Sequence, residues 1–317
     1  MTNIKNYILY GVIILVAVIT GVAIGSIYVS GIVPSVDTSS LTEATLRDDE
    51  ETIKKLYEDA VSGKKTTFSA VELYQIGEYK LKNTERYVKI LSGKVTNQFA
   101  PQYMKAIKTS TEDGIYYLKM SPGTAPMAVK QRYEYAKPNE VYLNETRSNN
   151  NITGDSIETY MVNIPESNAK TISLDEYKSI FNTEPTTPLT YIVSSYTTQE
   201  GTYDKDVTLN SDNQYVFNIK MTGEYATYAA FYYSYEIAHF AGFSVPTAPP
   251  TQDDLPRWES VEITVTMNSD FTIQSIKYLE KYRVDLILNN VAVSDDFTDV
   301  FYYDDETVDK YLAQSLL

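Results

Sequence analysis

The sequence contains no cysteine, one histidine and one tryptophan among 317 residues. Without cysteine there is no disulfide, thiol nucleophile, thiolate zinc site or acylated lipoprotein cysteine. A single histidine, His239, excludes a multi-histidine metal site. Glycine is sparse, and no Gly-x-Gly or Gly-Lys-Ser/Thr arrangement cradles a phosphate. No Gly-x-Ser-x-Gly elbow presents a serine nucleophile. Positive charge is in deficit, 27 basic against 42 acidic side chains. Affinity for nucleic acid comes mostly from cations neutralising phosphates, so no nucleic-acid partner is expected.

Charge is also missing locally. Tyr7 to Val36 carries no charged side chain, and Ile8–Val29 is almost continuously apolar. About 20 helical residues cross a hydrocarbon core roughly 30 Å thick. This stretch therefore reads as a transmembrane helix, with the lipid bilayer as its partner. Lys5 precedes it, while Asp37, Glu43 and the run Asp48 to Glu51 follow it. The positive-inside bias places the short tail in the cytoplasm and the rest outside. The competing reading is a signal peptide cleaved near Gly25, which would give a secreted protein. Lys5 is the one charge in residues 1–36, so the remainder holds 26 basic and 42 acidic side chains, a balance of −16.

Four segments are expected. Residues 1–36 form the tail and anchor, and 37–65 a tether with a surface helix over Thr45–Val61. Residues 66–170 form a helix followed by antiparallel strands, and 171–317 a second helix followed by strands. Ser69 and Glu72 match a capping box opening a helix over Ser69–Lys82, and Ser173 and Glu176 match another opening a short helix to Phe181. The boxes stand 104 residues apart, as do Tyr87-Val88 and Tyr191-Ile192. A duplicated unit and one continuous sheet are both compatible with that spacing.

Short runs rich in Tyr, Val and Ile read as strands at Tyr87–Thr96, Gln102–Thr109, Ile115–Met120, Met127–Tyr135, Val141–Thr146, Ile157–Ile164, Tyr191–Thr197, Thr202–Leu209 and Gln214–Thr222. A meander follows through Glu259–Met267, Phe271–Leu279, Tyr282–Leu288 and Phe297–Tyr303, then a terminal helix over Thr307–Leu316. Asp113-Gly114 is a clear hairpin signal. Alternation such as Tyr117/Lys119 suggests strands with one wetter face. The fold class is α+β: a transmembrane helix, then a mainly antiparallel ectodomain, curved or unclosed, packed with a few helices.

The chain is rich in tyrosine, with 29. Tyrosine joins a flat apolar body to a hydroxyl and suits half-buried strands, sugar platforms and groove walls alike. Tyr225 to Phe240 is the densest aromatic stretch, and its alanines and Gly242 favour a single helix ended by glycine. Tyr225, Tyr228, Phe231, Tyr232, Tyr235 and Phe240, with Trp258, are the candidate ligand-binding residues. No catalytic residue is assigned, because His239 reads as a helix-end residue near unpaired carbonyls. No cofactor and no metal are assigned: the doublets Asp253-Asp254 and Asp295-Asp296 and the run Asp304-Asp305-Glu306 lack the spacing of a calcium loop.

An anchor, a capped helix and a long run of antiparallel strands in an acidic, exported chain resemble the LolA/LppX-like extracytoplasmic carriers. That resemblance implies an unclosed sheet around an apolar cavity, with Ser69–Lys82 and Tyr225–Phe240 as helices plugging it and Tyr87–Ile164 with Glu259–Leu288 as the sheet. The chain departs from the lipoprotein members in lacking a lipidation cysteine, and no functional residue carries over. The reading is a non-enzymatic, membrane-anchored protein that binds an apolar or amphipathic ligand or an envelope component. The alternatives are a tyrosine-rich carbohydrate- or protein-interaction module and, behind it, a carboxylate-based hydrolase.

Overall fold

A computed structural model describes residues 36–97, 101–122, 129–148, 169–198, 203–241, 255–284 and 291–315. The expected anchor Ile8–Val29, the cleavage point near Gly25, the strand Ile157–Ile164, Asp253-Asp254 and the C-cap Gly242 lie outside the described residues. Among the described residues no helix is long and apolar enough to cross a membrane.

Eleven strands form one antiparallel sheet, and its order reports how the chain is wound. β1 (Tyr87–Asn97), β2 (Pro101–Thr111), β3 (Gly114–Pro122), β4 (Val129–Ala136), β5 (Glu140–Ser148) and β6 (Lys170–Ser173) step outward to one edge. β7 (Tyr203–Leu209) starts at the opposite edge, and β8 (Tyr215–Thr222), β9 (Arg257–Met267), β10 (Ile273–Val284) and β11 (Val291–Tyr302) step back inward. β11 then pairs antiparallel with β1, Ile90 opposite Val300. The sheet is therefore unclosed, with β6 and β7 at its edges. The chain must travel from one edge to the other between residues 174 and 203.

Period-2 alternation makes both faces. Along β10, Ile276, Tyr278, Glu280, Tyr282 and Val284 are buried on one side, while Lys277, Leu279 and Lys281 point away. The buried side, here the inner face, carries helix α3 (Ala70–Lys82). Ser69 and Glu72 satisfy each other's backbone donors at its start, as the capping box predicts. Leu73, Tyr74, Ile76 and Leu81 of α3 pack with Phe217, Ile219, Val261, Ile263, Val265 and Ile276 in the largest apolar cluster. At ~25 cal/mol per Å² of apolar surface removed from water, this cluster is the main cohesive element. On the outer face, Val88, Ile107 and Leu118 of β1 to β3 pack with Val308 of the terminal helix α7 (Asp305–Ser315).

Several elements depart from the sequence-based expectation. The surface helix is two helices, α1 (Glu43–Leu46) and α2 (Glu50–Val61). Asp49 caps the second by accepting from Thr52 N, and Asp48 turns away to accept from Ser195 N at 2.8 Å and Gln75 Nε2 at 2.5 Å. The second expected capping box is half made: Ser173 caps α4 (Leu174–Phe181), but Glu176 pairs with Lys170 at 3.7 Å. The aromatic helix breaks at Ala230 into α5 (Glu224–Ala229) and α6 (Phe231–Ala241), where the Ala229 carbonyl accepts from Ile192 N at 2.8 Å. β10 is one strand where two were expected.

The largest departure is Tyr191–Thr197, expected as a strand. Residues 182–198 instead form the irregular crossing segment, buried at Tyr191, Ile192 and Val193. Its backbone polar groups are served by side chains: Tyr74 donates to Tyr191 O at 2.9 Å and Gln75 to Val193 O at 3.3 Å. Buried irregular backbone is tolerable only with such partners. The helix-then-strand correspondence 104 residues apart thus extends to the helices and stops at Tyr191.

Candidate functional site

Strand register aligns a charged floor on the inner face of β1 to β4. Glu134, Tyr117, Lys108 and Lys89 stand opposite one another in one cross-strand row. Arg132, Lys119, Ala106 and Leu91 form the next row. Tyr117 and Lys119 both lie on the inner face, with Lys119 buried. The opposite side of β3 is covered as well, because Leu118 packs under α7.

Over this floor lie Tyr177 and Phe181 of α4, Thr183 to Thr190 of the crossing segment, and Tyr232, Tyr233 and Glu236 of α6. A cavity of about 100 Å³ remains between floor and roof. Its apolar wall comes from Leu91, Met104, Ala106, Phe181 and Leu189. A larger groove of about 570 Å³ adjoins it at Glu184 and Pro185, bounded by the β2–β3 turn, the β4–β5 turn and the end of α3.

The floor's charges are paired with one exception. Arg132 bonds Glu134, stands 3.9 Å over the Phe181 ring, and donates through Nη2 to Tyr177 at 3.1 Å. The Tyr177 hydroxyl donates in turn to Glu134 at 3.1 Å. Lys119 bonds Glu236, and the Tyr117 hydroxyl donates to the same carboxylate at 3.4 Å. Burial alone would raise Glu236, but Lys119 and Arg132 hold it down at about 2. Lys89 lies 3.6 Å from Asp299 and donates to Pro188 O at 3.3 Å.

Lys108 is the exception. It is 9% exposed and donates to Pro185 O at 2.6 Å and Thr187 O at 2.8 Å. No carboxylate among the described residues stands at ion-pair distance from it. Burial, with Lys89 opposite as the next cause, pushes Lys108 down to about 7.

A second buried polar feature lies on the other half of the sheet. Glu280 of β10 and Asp295 of β11 face each other in register, each 3% exposed. Tyr282 donates to Asp295 at 2.8 Å, while Glu280 Oε2 and Asp295 Oδ1 lack hydrogen-bond partners among the described residues. Burial raises Asp295 to about 7, and burial together with the Asp295 charge raises Glu280 well above the carboxylate range. Strand alternation thus splits the Asp295-Asp296 doublet: Asp295 points inward and Asp296 pairs with Lys277 at 3.2 Å outside. The third acidic run is spent on α7, where Asp304 accepts from Thr307 N and Asp305 and Asp309 hold Arg86. Among the described residues no cluster of three or more acidic or histidine side chains could hold a metal.

The candidate ligand-binding aromatics do not form one wall. Trp258 is buried in the main core and donates to Ser234 Oγ at 2.7 Å. Phe231 and Tyr232 pack with Leu46 and Ile192 in a separate cluster bordered by Tyr228 and Tyr235, while Tyr225 borders the main core. Among the described side chains of this set, only Tyr232 also lines the cavity. The side chains of His239 and Phe240 lie outside the described residues. Among the described tyrosines, only Tyr103 and Tyr302 are exposed. Most of the aromatic richness is therefore core.

The residues that line the cavity were missed because they are polar residues at inward strand positions. Alternation marks which positions share a face, but not which face is inside when both are covered.

No protein-family description matches the chain, and no curated protein is similar to it. Among solved structures, a DUF1329 family protein from Desulfovibrio piger overlaps 80% of this chain and 93% of its own, at 8% identity and a TM-score of 0.24. At that level neither chain's fold or function speaks for the other's.

Proposed function

We propose that the chain is a membrane-anchored binding protein, held by Ile8–Val29 with its folded part outside the cytoplasm. Its cavity between β1 to β4 and the crossing segment receives a small amphipathic ligand bearing an acidic group. The supporting observation is the buried Lys108, with no carboxylate at ion-pair distance among the described residues, in a cavity whose floor is otherwise charge-paired and whose apolar wall is Leu91, Met104, Ala106, Phe181 and Leu189. A buried charge is costly unless paired, and a ligand anion would supply the missing pair. A cavity of ~150 Å³ accommodates benzene, so about 100 Å³ suits a ligand of a few carbons. The apolar part would rest on Leu91, Met104 and Phe181.

The test is thermal unfolding of the full chain with propionate or butyrate. A ligand at a hundred times its Kd stabilises by about 2.7 kcal/mol. The expected result is a concentration-dependent rise in Tm that Lys108→Met abolishes. No rise with either acid, or a rise that survives in Lys108→Met, defeats the reading.

A further inference from the structure

We propose that Lys108 is the reactive amine of this cavity, condensing reversibly with a small aldehyde to form an imine. The proposal rests on the cavity being a ligand site, as inferred above, and adds covalent chemistry to it.

The geometry around the amine carries the argument. Lys108 Nζ has three positions beyond its carbon, and the carbonyls of Pro185 and Thr187 occupy two. In the ammonium form the third position is a proton; in the free amine it is a lone pair. The other three cations of the floor each have a carboxylate to keep them charged: Lys89 has Asp299, Lys119 has Glu236, and Arg132 has Glu134. Lys108 has none, and it stands across the strand from a second cation, Lys89. Desolvation beside another cation is the arrangement that frees a lysine to act as a nucleophile. Its affinity for protons is correspondingly lowered, to about 7. The charged and titratable groups lining the cavity with it are Lys89 of β1, Tyr117 and Lys119 of β3, Arg132 and Glu134 of β4, Tyr177 of α4, Glu184 of the crossing segment, and Tyr232, Tyr233 and Glu236 of α6.

The step balances without a further reactant. The Lys108 lone pair attacks the aldehyde carbon and a C–N bond forms while the C=O π pair moves to oxygen. Two N–H protons of the amine leave with that oxygen as water, and the C=N bond closes. The imine nitrogen then takes one proton from solvent, and that single N–H is enough for one of the two carbonyls. The adduct therefore releases either Pro185 or Thr187 from the floor.

An ordinary lysine, with a pKa near 10.4, is almost wholly protonated at pH 7, so the free-amine fraction at Lys108 is higher by roughly a thousandfold. The full chain is treated at pH 7 with propanal and sodium cyanoborohydride, and the propylated residues are mapped by mass spectrometry. Lys108 is expected to label at least tenfold faster than the exposed Lys64 and Lys310, alongside the amino terminus. Its rate is expected to rise with pH through a midpoint near 7. Lys108→Arg, which keeps the charge, is expected to lose that label and keep its circular dichroism. Labelling of Lys108 no faster than Lys64, or only after unfolding, overturns the imine. Should Lys108→Arg fail to fold, the pH midpoint of the wild-type rate decides alone, and a midpoint near 10 overturns the proposal. Carboxylate stabilisation without an adduct overturns the imine and leaves the binding reading. An adduct without carboxylate stabilisation upholds the imine and overturns the acidic-ligand reading.

Discussion

Gly93 of β1 stands opposite Phe297 of β11 in register. A Cβ built there would meet the Asp296 carbonyl oxygen and the Phe297 ring. The obstruction is backbone rather than the tip of a flexible side chain, so it cannot be relieved by a rotamer change. Gly93→Ala is accordingly expected to lower stability by about 1–3 kcal/mol, the usual cost of overpacking. A urea midpoint equal to that of the wild type would contradict the close approach of these two strands. The strand junction matters beyond its own contacts, because β1 and β11 join the outward and inward halves of the sheet. Lys89 and Asp299, the ion pair nearest Lys108, also span this junction.

The crossing segment is the element on which the cavity depends, and Asp48 is one of its ties outside the sheet. Its carboxylate accepts from Ser195 N at 2.8 Å, from the Ser195 hydroxyl and from Gln75 at 2.5 Å. Hydrogen bonds to charged groups contribute ~1.5–3 kcal/mol each in net terms, with losses shared when one acceptor serves several donors. Asp48→Ala is expected to cost about 2–3 kcal/mol and to raise amide hydrogen exchange across residues 191–198 more than across β9. Uniform exchange changes would show that the tie is not local. This element also shows where sequence reading reaches its limit. Ser69 and Glu72 start α3 because their capping bonds are local, and β3 turns at Asp113-Gly114 for the same reason. Tyr191-Ile192-Val193 has strand composition, yet its backbone is satisfied by Tyr74, Gln75 and Ala229, more than thirty residues distant in each case. Similarly, Lys119 and Arg132 look like solvent-facing residues until α4 and α6 cover them. Local signals thus account for the helices and most strands, while long-range cover decides the site.

Across the whole molecule, the two buried polar features titrate in opposite senses and meet near neutrality. Asp295 is raised from 3.8 to about 7, so the folded chain holds a proton that the unfolded chain has released. Stability from this group is present at acid pH and falls as pH rises between those values. Glu134, Asp299 and Glu280 are shifted in the same direction, chiefly by burial. Lys108 is lowered from 10.5 to about 7, so here the unfolded chain holds the extra proton and stability rises with pH between those values. Lys119 is lowered likewise by burial. Glu236, held down at about 2, gains its stabilising effect below this window. The sum of these contributions is lowest around pH 7, whereas many proteins are most stable between pH 5 and 8. Urea unfolding of the full chain at pH 5, 7 and 9 is expected to give its lowest midpoint at pH 7. Asp295→Asn should flatten the acid side and Lys108→Met the alkaline side, each by on the order of 1–3 kcal/mol. A maximum at pH 7, or a profile that neither substitution changes, would show that these groups are solvated or paired in the folded chain. An acidic ligand on Lys108 would restore its proton, so saturating butyrate should remove the alkaline-side rise while leaving the acid side as it was.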